Sequence, residues 1–128
     1  MATLSPTQQA FLKAPNFAVV ATVGEDGSPQ STVVWIDTDG ENVVFNTKRG
    51  RAKVAHLERD PRVSVTVIDA ANSYAFVEVQ GVASLEDEGA AEHINFLSHK
   101  YAGEDFSNLE DRVIVRVRPD RILTYNVD

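Results

Sequence analysis

Cysteine is absent from the 128 residues, which removes disulfides, thiolate metal ligands and cysteine nucleophiles together and suits a reducing compartment. Long apolar runs are missing too. No stretch of about 18 such residues is available to span a membrane, and Met1 to Ser5 has neither the basic start nor the apolar core of a signal peptide. The expectation is a cytoplasmic protein with no membrane partner. Positive charge is scarce, with 12 Lys and Arg against 19 Asp and Glu and a formal net charge of −7. Such a chain repels nucleic acid, whose backbone needs spread positive charge. Catalytic motifs are lacking as well. His93 and His99 are six apart and no His-Glu-x-x-His occurs around them or His56, so no metal site is assigned. Neither Ser28 nor Ser31 sits in a Gly-x-Ser-x-Gly elbow, and no Gly-x-Gly-x-x-Gly or Walker loop is present. No catalytic residue can be singled out, which fits a protein whose cofactor carries the chemistry.

Against this background one stretch stands out. Asn46-Thr47-Lys48-Arg49-Gly50-Arg51-Ala52-Lys53 places four of the twelve basic residues within six positions. It falls where a β-like segment, Val43 to Asn46, gives way to a helix-like one, Arg51 to Arg59. Free N–H groups at a helix start can join such side chains in holding a phosphate, and a glycine lets the backbone approach it closely. So small a patch suits a small anion.

The rest of the chain reads as one domain, residues 1–128, large enough to bury roughly two-thirds of its unfolded surface. Phe17 to Val23 is a β-branched run closed by the turn Gly24 to Pro29. Gln30 to Asp37 alternates Ser31, Val33 and Trp35 with Thr32, Val34 and Ile36, and Asp39-Gly40 turns the chain into the next strand. Three adjacent antiparallel strands are expected. Asp60-Pro61 ends the short helix. Strands follow over Arg62 to Ile68 and Tyr74 to Leu85, with Gly81 marking a bulge. Asp87 to Tyr101 reads as the main helix, stopped by Gly103, and Val113 to Tyr125 supplies one or two last strands. The fold class is mainly β (α+β): a six- to seven-stranded antiparallel barrel with two to three peripheral helices.

Ala14 to Val23, Asp26-Gly27-Ser28-Pro29-Gln30, Val33-Val34-Trp35, Phe45-Asn46-Thr47 with Arg49 to Lys53, and Asp60 to Val63 together resemble the split β-barrel flavin/deazaflavin superfamily, which includes pyridoxamine 5′-phosphate oxidase. Tyr74 to Gly81 and His93 to Asp105 are most similar to its small oxidoreductases that use the deazaflavin coenzyme F420. The resemblance implies hydride transfer between coenzyme F420 and a small organic substrate. FMN is the alternative cofactor, and a carrier without turnover the alternative role. It implies that Asn46, Thr47, Arg51 and Lys53 hold the cofactor phosphate, with Ala52 also among the cofactor-binding residues. Gln30, Ser31, Thr32, Val33, Val34 and Trp35 would lie against the ring, and Lys48 and Arg49 near the acidic tail of coenzyme F420. It also implies a homodimer with the cofactor at the subunit interface.

Overall fold

The computed structural model describes residues 2–128; Met1, the first residue of the stretch read for a signal peptide, lies outside them. Helix α1 (Pro6–Lys13) opens the chain, where no element was expected. Its signal is local: Ser5 accepts from the Gln8 N–H at 3.1 Å while the Gln8 side chain accepts from the Ser5 N–H at 2.9 Å, a capping box with Pro6 in the first turn.

The strands β1 (Phe17–Val23), β2 (Pro29–Val34), β3 (Ile36–Thr38), β4 (Val43–Lys48), β5 (Arg62–Ile68), β6 (Phe76–Glu86) and β7 (Arg112–Tyr125) form one antiparallel sheet in the order β2-β1-β5-β6-β7-β4-β3. This seven-stranded sheet curls into a split barrel. Its inner face is the core, where Val20, Val65, Val67, Val77, Val79, Val115 and Val117 are at most 1% exposed. Alternation along each strand puts these side chains inward, and β-branched residues pack well on a pleated face.

The expectation of three adjacent strands is corrected. Gln30 to Asp37 is not one strand: β2 pairs with β1 at one edge of the sheet, and β3 pairs with β4 at the other. Trp35 alone joins them. The inward alternation of Thr32, Val34 and Ile36 holds across the break, because burial fixes side-chain faces more firmly than it fixes backbone partners. The chain therefore connects the two open edges of the barrel at Trp35.

The end of the chain forms one strand, not two. β7 runs through Pro119, which stands opposite Gly81 at the register shift in the β6–β7 ladder. A β-carbon on Gly81 would lie 2.0 Å from the Arg118 carbonyl oxygen, so the close approach of the two strands depends on glycine there.

Helix α2 (Ala52–Arg59) packs on β1, where His56 Nδ1 lies 2.9 Å from Thr22 Oγ1. Helix α3 (Ala90–Ala102) begins later than expected, because Gly89 takes a left-handed conformation at φ 78° and leaves Asp87 and Glu88 in the preceding turn. At its far end Lys100 Nζ donates to the carbonyls of Leu12 and Ile36, and Tyr101 Oη donates to Asn16 O at 2.7 Å. These bonds tie α3 to α1 and to the β2–β3 corner.

Candidate functional site

A groove of about 250 Å³ opens where the Trp35 corner, the end of β4, the start of α2 and the start of β7 meet. Eight of the residues expected around a cofactor line it: Val33, Val34, Trp35, Asn46, Thr47, Lys48, Arg51 and Lys53. Gln30, Ser31, Thr32 and Ala52 do not. The first three are on β2, whose outer edge pairs with no strand. That edge leaves backbone N–H and C=O groups free to meet the heteroatoms of a flat ring.

The electrostatics come from what the cations lack. Among the described residues, Lys48, Arg51, Lys53 and Arg112 have no carboxylate within 4.0 Å. Lys53 is only 8% exposed, and burial, reinforced by the charges of Arg51 and Arg112, holds its ammonium below the ordinary lysine pKa. Burial and the neighbouring Arg51 depress Arg112 in the same way. Positive groups gathered without counter-charge destabilise one another until an anion arrives. Helix α2 adds to this: Arg51 is its N-cap, and no side chain bonds its first amides.

Arg49 belongs to another set of contacts. It grips Asp87 through Nε and Nη2 at 2.7 and 3.1 Å and lies 3.6 Å from Glu58. Its fork is therefore engaged by carboxylates of this chain. Asn46 borders the groove, yet its carboxamide is also occupied, donating to Ala90 O at 3.0 Å and accepting from Arg112 Nε at 3.0 Å.

Sequence reasoning missed Arg112, Ile94 and Phe106, which also line the groove. Arg112 enters only through the β4–β7 ladder, where it stands opposite Lys48. The signal in the sequence was weak: a lone arginine before the apolar run Val113 to Val115. Its guanidinium carbon lies 5.1 Å from the centre of the Phe106 ring, a distance at which the ring face attracts the cation. Trp35 is fixed from two sides, stacked on Tyr101 at 5.5 Å between ring centres and meeting Phe106 edge-on at 5.9 Å. It is thus both a packing residue and a wall of the groove. The groove thus has a cationic end, formed by Lys48, Arg51, Lys53 and Arg112, and an aromatic wall, formed by Trp35 and Phe106.

A match to the pyridoxamine 5′-phosphate oxidase family model spans residues 4–126, and the chain belongs to that family. Its fold is the split barrel of that superfamily. Among solved structures, one described as an F420 reductase superposes with a TM-score of 0.81 at 31% identity, covering 90% of this chain and 94% of that one. A putative pyridoxamine 5′-phosphate oxidase of Listeria innocua gives a TM-score of 0.71 at 27% identity, covering 91% and 94%. The pyridoxine/pyridoxamine 5′-phosphate oxidase of Citrobacter koseri is 42% identical over 57 residues, 44% of this chain and 26% of that protein. The chain spans only about a quarter to three-tenths of the curated relatives it matches.

Proposed function

We propose that this chain is an oxidoreductase that binds coenzyme F420 in the groove and transfers a hydride between it and a small organic substrate. The observation that carries the reading is the convergence of Lys48, Arg51, Lys53 and Arg112 without carboxylate partners at the uncapped start of α2. Arg51 and Arg112 would grip the phosphate with planar forks, and Lys53 would add a buried point charge. The free edge of β2 and the side chains of Val33 and Trp35 would hold the ring in place. When bound, the deazaflavin supplies a two-electron hydride donor or acceptor. The chain orients it and excludes water from one ring face, which is the contribution expected where the cofactor does the chemistry. The likeness to the F420 reductase structure over nine-tenths of both chains supports this choice.

FMN is the second reading, favoured by the oxidase names of the curated relatives. The groove is open to solvent on one side, and there the remainder of either cofactor would lie against a second copy of the chain in a homodimer. Trp35 is the one tryptophan and borders the groove, so it reports on occupancy. Titrating the protein separately with coenzyme F420 and with FMN should quench its fluorescence more steeply for coenzyme F420. Tighter FMN binding, with rapid reoxidation by oxygen, would assign the protein to the oxidase class. Release of coenzyme F420 unchanged with every acceptor tried would make it a carrier.

A further inference from the structure

His93, on α3, is one of three histidines. It lies half-buried, with Nδ1 3.1 Å from Asn46 Nδ2. The state of this imidazole follows from its neighbours. Asn46 Nδ2 meets the Ala90 carbonyl, which can only accept, and Asn46 Oδ1 meets Arg112 Nε, which can only donate. Both partners fix the carboxamide in the same orientation. The amide therefore presents its second N–H to His93, so Nδ1 must accept and the proton must reside on Nε2. That Nε2 is buried with no hydrogen-bond partner. A buried polar atom without a partner calls for an explanation, and the proton it carries follows from keeping Nδ1 bare.

We propose that His93 is a positioning residue: its neutral, Nδ1-accepting imidazole locks Asn46, and Asn46 in turn holds Arg112 at the groove. The proposal rests on reading the groove as a phosphate site, but the lock itself lies entirely within this chain. Protonating Nδ1 would set an N–H against the Asn46 N–H₂. The amide could relieve that clash only by turning its oxygen to His93, which would take the acceptor away from Arg112. Arg112, crowded by Arg51 and Lys53, would then swing out of the cradle. The charged groups around His93 are Asp37 on β3 and Arg116 on β7. Burial first, then Arg116, hold the imidazole below its ordinary pKa, while Asp37 pulls the other way. The lock is thus closed at neutral pH and opens only in acid.

Two measurements decide it. Long-range proton–nitrogen NMR of the cofactor-free protein should show His93 neutral with the proton on Nε2, and an Arg112 Nε–H slow to exchange with solvent. In His93→Phe, which keeps a ring but offers no acceptor, that N–H should exchange about 10-fold faster, the effect of about 1.4 kcal/mol of lost protection. Affinity for coenzyme F420 and FMN, followed by Trp35 fluorescence, should fall by about 3- to 10-fold, a loss of about one hydrogen bond's worth. His93→Gln, whose amide oxygen can accept from Asn46, should recover part of that loss. A wild-type His93 protonated on Nδ1, or Arg112 exchange unchanged in His93→Phe, overturns the lock whatever the cofactors do. The expected spectra with neither cofactor bound would leave the lock standing and overturn the proposed function. Should His93→Phe not fold, the wild-type tautomer and the Arg112 exchange rate across pH take its place. Exchange that stays constant as His93 titrates overturns the proposal.

Discussion

Lys48 on β4 and Arg112 on β7 stand directly opposite each other in the ladder that joins those strands. Like charges in that relation weaken a sheet, and Lys53 brings a third cation to the same place with only 8% of its surface exposed. A local conflict of this kind is expected where a site gives up stability for binding. Lys53→Met keeps the length of the side chain and removes the charge. It should therefore raise the stability of the cofactor-free protein by about 0.5–1 kcal/mol, in the range of other single stabilising changes. The same change should weaken cofactor binding by about 1.5–3 kcal/mol, the usual worth of a hydrogen bond to a charged group. Calorimetric melting and Trp35 titration measure the two effects. A variant that melts lower and binds as before would remove Lys53 from the site.

Gly81→Ala tests the β6–β7 ladder. The added carbon would lie 2.0 Å from the Arg118 carbonyl oxygen, a backbone atom that can move only if the strand moves. The expected destabilisation exceeds about 3 kcal/mol, in the tail reserved for overpacking and strain. Urea unfolding gives the number, and a loss under about 1 kcal/mol would mean that the strands can separate there freely.

The strands were legible because alternation with a two-residue period survives in β1, β5 and β6, and the bulge was legible because glycine inside a strand has few other uses. The break at Trp35 was not legible. Val33-Val34-Trp35-Ile36 keeps its alternation across the break, so nothing local reveals that β2 and β3 belong to opposite edges. Helix α1 was missed for a different reason: its apolar face is little more than Phe11 and Leu12, and only the Ser5–Gln8 capping box announces it. At the site, the cations at 48–53 were visible as a cluster in sequence. Arg112 reaches them across 59 positions from Lys53, through strand pairing that no local pattern encodes. The work of Asn46 was invisible because it depends on His93 and Ala90, both on a helix far along the chain.

Lys100 gives the stability a pH dependence whose sign can be worked out. Burial lowers its ammonium to about 8 from the ordinary 10.5. Between those values the unfolded chain holds a proton that the folded chain has released, so stability rises with pH across that window. Lys53, also depressed by burial, acts in the same direction. Tyr101, raised by burial above 10.0, acts oppositely once the pH passes that value, because there the folded chain holds the extra proton. Urea midpoints should therefore climb from about pH 8 toward pH 10 and then turn over. In Lys100→Met the climb should shrink to the part owed to Lys53. That variant should also lose about 1–3 kcal/mol at pH 7, since the Leu12 and Ile36 carbonyls keep no ammonium partner. An unchanged climb in Lys100→Met would assign the pH dependence elsewhere.

The outer face of the sheet carries the prediction for assembly. Phe17, Ile68, Phe76 and Tyr125 stand opposite one another in turn across β1, β5, β6 and β7, and so form one row. Phe17 and Tyr125 are 59% and 54% exposed, and the Phe76 and Tyr125 rings stack at 5.8 Å. Val33, 71% exposed, pairs with Val19 in the next row and also borders the groove. An apolar face continuous with the site is what a homodimer sharing its cofactor between subunits requires. Light scattering should give about twice the 14.0 kDa chain mass. The double change Phe17→Glu with Tyr125→Glu, which sets like charges against each other across a two-fold axis, should give monomers and reduce cofactor affinity by about 10-fold or more, as burial of the ring is lost. Neither residue lines the groove, so a phosphate-only probe such as pyrophosphate should still bind those monomers. Monomers that hold coenzyme F420 as tightly as the unaltered protein would show that one chain suffices for the whole ligand.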